Sequence, residues 1–152
     1  MKTTLFLIGV LALVCSCQVR KKVESPLSKD EMMGIVKELD LQFSTGVQKK
    51  DSAFLTSIYS DSAQYVQPNR AIFSGHEEIA KDWGGFLRLK EKPIDLVLNI
   101  HDVRGTREVL YETGVGYTLL ADSSKWNFNY VNVWRLQSDG GYKLDVDTYT
   151  PL

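Results

Sequence analysis

The apolar positions of this chain change period near its middle. Between Ser28 and Arg88 they recur three and four residues apart: Met32, Ile35, Val36, Leu39 and Phe43, then Phe54, Leu55 and Ile58, then Ile79, Trp83, Phe86 and Leu87. That spacing predicts three amphipathic helices. Ser28-Lys29-Asp30-Glu31 reads as a capping box opening the first, which runs to about Val47; Asp51 caps a shorter second; Ser74-Gly75 starts a third that reaches about Arg88, with Gly84-Gly85 as a point of kinking. Ala63 to Gln67, closed by Pro68-Asn69, predicts a short strand between the second and third helices. After Pro93 the period becomes two. Leu96, Leu98 and Ile100 alternate, then Val109, Tyr111, Val115, Tyr117 and Leu119, then a terminal pair of runs, with turns at Gly105-Thr106 and Asp122-Ser123-Ser124. Three helices followed by four antiparallel strands predict an α+β domain with its helices on one face of a curved sheet.

The terminal pair flanks Ser138-Asp139-Gly140-Gly141, a strong hairpin signal. With Asp139-Gly140 as a two-residue turn, Trp134 faces Asp145, Asn132 faces Asp147 and Tyr130 faces Tyr149. Opposed residues share a face. One face is then Tyr130, Asn132, Trp134, Asp145, Asp147 and Tyr149, and the other Val131, Val133, Leu144 and Val146. A three-residue turn would move the pairing by one and mix the two faces. Glu112, between Tyr111 and Gly114, is read as facing out.

Composition narrows the class. The 152 residues are 43% hydrophobic and 24% charged with a formal net charge of -1, which leaves no nucleic-acid footprint. Arg20-Lys21-Lys22 reads as tether solvation. At the N-terminus, Lys2 precedes an apolar run from Leu5 to Val14, short of the about 20 residues that span a bilayer but suited to a signal peptide. Val14-Cys15-Ser16-Cys17 resembles a bacterial lipobox, with Cys17 as the lipidated residue. Residues 1–16 are then a lipoprotein signal peptide, 17–27 a tether and 28–152 a single domain. An ordinary secretory signal or an uncleaved anchor is the alternative. Gln18 after Cys17 resembles the pattern of outer-membrane retention, so the expected place is the cell envelope, lipid-anchored, at the outer membrane facing the periplasm. No cysteine follows Cys17, which argues against redox chemistry or disulfides in the domain.

The order of elements resembles the nuclear transport factor 2-like cone, whose members include ketosteroid isomerases and SnoaL-like polyketide cyclases. The likeness is carried by Lys50-Asp51, Tyr59-Ser60-Asp61 with Ala63, Phe73-Ser74-Gly75-His76-Glu77-Glu78-Ile79, and Val133-Trp134-Arg135 through Asp139-Gly140 to Tyr142-Lys143-Leu144. It implies a sheet wrapped around the helices to enclose a conical cavity, with the terminal hairpin as one wall. The ketosteroid isomerases place a carboxylate base, a helix-one tyrosine and a protonated carboxylic acid in that cavity. On this chain those positions match Gln67, Phe43 and Asn132, and all three depart from the pattern; Tyr59 matches a supporting tyrosine. An amide cannot take a proton near neutral pH and phenylalanine cannot donate a hydrogen bond, so isomerisation by that route is not expected.

The expected pocket comprises Phe43, Tyr59, Tyr65, Gln67, Trp83 and Phe86 from the first half of the chain, and Tyr117, Asn132, Trp134, Asp145, Asp147 and Tyr149 from the second. Asp145 and Asp147 are two residues apart on one strand, a spacing that can raise a carboxyl pKa; a structural role for Asp147 is the competing reading. His76 is read as solvated. His101 has no second histidine or cysteine at ligand spacing, and no metal or cofactor is expected. Val131, Val133, Leu144 and Val146 are expected to form an outer apolar patch for a homodimer. The leading expectation is a lipid-anchored module binding a small, largely apolar molecule. Its rivals are a cyclase, hydrolase or lyase using Asp147 as general base with Tyr59 or Tyr117 assisting, and a protein-interaction domain whose cone is filled by its own side chains.

Overall fold

The computed structural model describes residues 25–152. The expected signal segment, the expected lipidation site Cys17 and all but the end of the expected tether lie outside the described residues. Helix α1 spans Lys29–Lys49 and opens on the predicted capping box: the Glu31 amide donates to Ser28 Oγ at 3.3 Å and the Ser28 amide to Glu31 Oε2 at 2.7 Å. It stops where Lys50 takes a left-handed φ of 53° and its N–H turns back to the Gly46 and Val47 carbonyls. Asp51 Oδ1 then accepts from the Phe54 amide at 2.9 Å and caps α2, Ser52–Ser57. Strand β1, Tyr59–Val66, begins four residues earlier than the predicted Ala63. After β2, Phe73–Ser74, helix α3 covers Gly75–Phe86 and continues through Gly84 and Gly85 without a break.

Four long strands complete the chain: β3 Pro93–Gly105, β4 Val109–Leu120, β5 Lys125–Leu136 and β6 Tyr142–Pro151. Successive members pair antiparallel, as the period predicts. The sheet is larger than that run, with six strands in the order β2-β1-β6-β5-β4-β3, and β1 lies parallel to β6. Periodicity does not report which strand neighbours which, so this mixed edge was invisible in the sequence. Register shifts in β3 and between β5 and β6 bend the sheet around the helices. The result is an α+β cone. Ser44 Oγ donates to Asp95 Oδ1 at 2.6 Å and Lys29 pairs with Asp102 at 2.6 Å, tying α1 to β3. Val36, Phe43, Val47, Leu55, Ile79, Leu110, Trp134 and Leu144 are buried between sheet and helices.

Two strand faces depart from the sequence reading. In β4 the alternation is present but reversed: Leu110, Glu112, Gly114, Gly116, Thr118 and Leu120 point inward, while Tyr111 and Val115 are exposed and Tyr117 turns its ring out under the Lys125 ammonium. The reason is room. A Cβ on Gly114 would stand 2.6 Å from the Tyr130 ring, and one on Gly116 2.6 Å from the Phe128 ring. The small inner residues of β4 let those β5 rings lie across the strand, and hydrophobicity alone favours the wrong row.

The terminal hairpin is the second. Its loop spans Gln137–Gly141, with Gly140 at a φ of 88° and the Gln137 amide donating to the Gly141 carbonyl at 2.7 Å. Leu136 therefore opposes Tyr142, and Trp134 opposes Leu144 rather than Asp145. A bulge then skips Asp145, so that Val133 opposes Val146, Asn132 opposes Asp147 and Tyr130 opposes Tyr149. The longer loop shifts the register by one and the bulge shifts it back. Leu144 is consequently fully buried in the core and is not part of an outer patch, while Asp145 turns outward to Arg135 Nε and Nη2 at 2.9 and 2.8 Å and to Ser60 Oγ at 3.0 Å. Val131 is 39% exposed, on the outer face where the sequence placed it.

Candidate functional site

The narrow interior of the cone is built around β6. Asp147 points inward from that strand, directly across from Asn132 of β5 and beside Tyr65 of β1. Tyr59, at the start of β1, donates its hydroxyl hydrogen to Asp147 Oδ2 at 2.5 Å, and the same hydroxyl accepts from Trp83 Nε1 of α3 at 3.3 Å. Three elements thus hold one carboxylate. Asp147 lies deep among protein atoms and opens on a hollow of about 990 Å³.

Aromatic rings make most of that hollow's wall. Tyr65 and Trp83 stack at 6.4 Å and 11°, Trp83 and Phe86 meet edge to face at 5.4 Å, and Phe128 meets Tyr149 at 5.8 Å. The basic side chains that touch the hollow are exposed and engaged at its rim. Arg70 pairs with Asp82 at 2.9 Å and lies over the Phe73 ring, Lys81 pairs with Glu77 at 2.8 Å, and Lys125 sits over Tyr117. Gln67 lines the wall but its amide is already used, donating to Asp82 Oδ2 at 2.6 Å and accepting from Arg70 at 2.9 Å.

Behind Asn132 lies a second acidic group that the sequence reading missed. Glu112 of β4 is fully buried, not outward as expected, and its Oε1 accepts from Asn132 Nδ2 at 2.9 Å and Trp134 Nε1 at 3.2 Å. Asp40 of α1, 8% exposed, is its acidic neighbour. One signal for it was available: Asp40 sits in the stripe Val36, Asp40, Phe43, Val47, where a carboxylate interrupts an apolar helical face. For Glu112 the signal was the period itself, two residues after Leu110 on the same face.

Burial governs the protonation of these groups. Removal from water pushes Asp147 up to about 7, against the pull of the Tyr59 hydrogen bond and with added push from Glu112 and Asp82. Burial and the adjoining Glu112 charge push Asp40 up to about 9, and burial raises Glu112 as well. Glu112 already accepts two N–H donors, which favour its ionised form, so of the two it is Asp40 that is pushed the more clearly towards its protonated form. Both Asp40 carboxyl oxygens, Glu112 Oε2, Asn132 Oδ1 and the Tyr130 hydroxyl are buried here without hydrogen-bond partners among the described residues.

Phe43, Tyr65, Gln67, Trp83, Phe86, Asn132, Asp147 and Tyr149 are brought together on the hollow. Tyr59 stands one bond behind its wall, through Asp147. Trp134 is fully buried and serves Glu112, Tyr117 faces away, and Asp145 belongs to the outer surface, so these three leave the pocket. The three positions matched to the isomerase set are a fully engaged amide at Gln67, a core ring at Phe43 and an Asn132 amide turned to Glu112. Among the described residues no three His, Cys, Asp or Glu side chains gather to hold a metal ion, and no helix is long and apolar enough to cross a membrane.

No protein-family model matches this sequence, and no curated protein matches it. Solved structures do resemble it in fold. A ketosteroid isomerase-like protein from Erwinia carotovora atroseptica has a TM-score of 0.65 at 13% identity, over 81% of this chain and 98% of that one. A nuclear transport factor 2-like protein from Cytophaga hutchinsonii has a TM-score of 0.64 at 15% identity, over 79% and 98%. A domain of unknown function with a cystatin-like fold from Nostoc punctiforme reaches 0.70 at 12% identity, over 82% and 80%. The chain has the nuclear transport factor 2-like, cystatin-like fold.

Proposed function

We propose that the cone is a binding site for a small, largely apolar molecule, held by the aromatic walls and oriented by the polar groups at the inner end. The observation that carries this is an open volume of about 990 Å³ with stacked rings along its sides and Asp147 inside it. Such a concave apolar site with a few convergent polar groups is what small-molecule recognition requires. The same volume weighs against a cone filled by its own side chains. Thermal unfolding measured with naphthalene derivatives tests the reading: a rise in Tm that grows with probe concentration supports it, and no rise up to saturation speaks against it. From the sequence, we place this module at the cell envelope on a lipid attached to Cys17. Mass spectrometry of the mature N-terminus, reading for a diacylglyceryl cysteine, checks that placement.

A second reading is acid–base catalysis by Asp147. It is favoured by a carboxyl near pH 7 that opens on the hollow and is steadied by Tyr59. It requires that Asp147→Asn abolish a turnover that the wild type performs while leaving the Tm nearly unchanged. Turnover retained by the Asn variant sinks it.

A further inference from the structure

The polar chemistry at the inner end of the hollow leans towards acceptors. Asp147 uses Oδ2 for the Tyr59 hydroxyl and keeps Oδ1 out of that bond, while Asn132 Nδ2 donates to Glu112 and Asn132 Oδ1 has no partner among the described residues. The direction of the Asn132 amide is not free to reverse. Trp134 can only donate, so Glu112 Oε1 is an acceptor, and the Asn132 nitrogen must be the atom that faces it. Acceptors therefore gather at this end of the cavity. Asp147 lines this end, Glu112 and Asp40 are buried behind Asn132, and among the described residues the basic side chains on the hollow, Arg70, Lys81 and Lys125, are held at the rim. The faces of Tyr65, Trp83 and Tyr149 add negative quadrupoles to the same space. A low-dielectric hollow with one sign of charge concentrates the opposite sign.

We infer that the ligand of this cavity is an organic ammonium, an amine on an apolar body, whose N–H groups reach Asp147 and whose charge lies against the aromatic faces. This rests on the binding reading above and names the ligand class for that same site. Bound carboxylates and phosphates would meet acidic groups and acceptors, with neutral donors such as the Tyr130 hydroxyl and no cation among the described residues to offset their charge at this end. Neutral alcohols could use one acceptor but gain nothing from the field.

The test uses three probes on one apolar frame, naphthalene carrying an aminomethyl, a hydroxymethyl or a carboxylate group, titrated calorimetrically into the full chain at pH 7. The expected order is amine, then alcohol, then carboxylate, with about tenfold or more in Kd between the first and last. In Asp147→Asn the amine should lose its advantage over the alcohol while the alcohol still binds. Should that variant fold poorly, the carboxyl carbon of Asp147 in the wild type gives the same answer by NMR: the amine must move its titration to lower pH and the alcohol must not. A carboxylate that binds as tightly as the amine, or an amine preference that survives Asp147→Asn, overturns the inference and leaves the cavity reading standing. If none of the three binds, both fall.

Discussion

The hydroxyl of Tyr59 donates to Asp147 Oδ2 across 2.5 Å, joining the first residue of β1 to the middle of β6. It also receives the Trp83 indole N–H, so the phenol has a fixed donor direction and cannot turn from the carboxylate without orphaning the indole. That bond opposes the burial that raises Asp147. Tyr59→Phe should therefore push the Asp147 carboxyl above about 7, read by its carbon shift against pH. Stability should fall by about 1–2 kcal/mol, because one hydrogen bond is lost and Trp83 Nε1 loses its acceptor. An unchanged or lowered Asp147 titration would mean that the pair is not coupled as the geometry requires.

Stability should decline as pH rises. Asp147 and Asp40 sit at about 7 and about 9 when folded, both above the ordinary 3.8 of an unfolded aspartate. Between these limits the folded state holds protons that the unfolded state has released, so ionisation favours unfolding. The loss begins near pH 4; Asp147 stops contributing near 7 and Asp40 near 9. Urea midpoints measured at pH 5, 7 and 9 should fall in that order, and a midpoint that climbs from 5 to 9 would contradict neutral carboxyls in this core.

Asp145 serves as the control for Asp147. Its carboxylate touches Arg135 and Ser60 on the outer surface and no part of the hollow. Asp145→Ala should cost about 1–3 kcal/mol, because the largely covered carboxylate leaves Ser60 and Arg135 without their acceptor, and should leave probe binding unchanged. Calorimetry showing weakened naphthalene binding in this variant would put Asp145 back in the pocket.

The bulge between β5 and β6 makes a packing prediction. Leu144 is fully buried and Val131 is 39% exposed, although a simple hairpin would place them on one face. Leu144→Ala should cost about 2–5 kcal/mol through the cavity it leaves. Val131→Ala should stay within about 0.5 kcal/mol of the wild type. Equal costs in chemical denaturation would show that the register is not the bulged one.

Gly116 makes room for the wall. Its absent Cβ would fall 2.6 Å from the Phe128 ring and 2.8 Å from the Val97 carbonyl oxygen, the latter a backbone atom with little freedom to yield. Gly116→Ala should destabilise by about 1–3 kcal/mol, as overpacking does, and weaken probe binding by displacing Phe128. Unaltered affinity would mean that Phe128 takes no part in holding the probe.

Much of this protein was determined by its sequence alone, because the deciding forces there act over a few residues. The Ser28 capping box, the Asp51 cap and the change of period at Pro93 depend on neighbours three or four positions away, and α1, α2 and the antiparallel run follow from them. The pairing of Asn132 with Asp147 was also legible, though by two compensating departures: a longer loop and a bulge that undoes its shift. Tertiary structure decided the rest. Which row of β4 faces inward depends on the space taken by Tyr130 and Phe128 from another strand, so glycines and Glu112 displaced the aromatic row that hydrophobicity favours. The meeting of Asp40 with Glu112, and of Tyr59 with Asp147, joins residues far apart along the chain, and their pKa values exist only once water has been excluded around them.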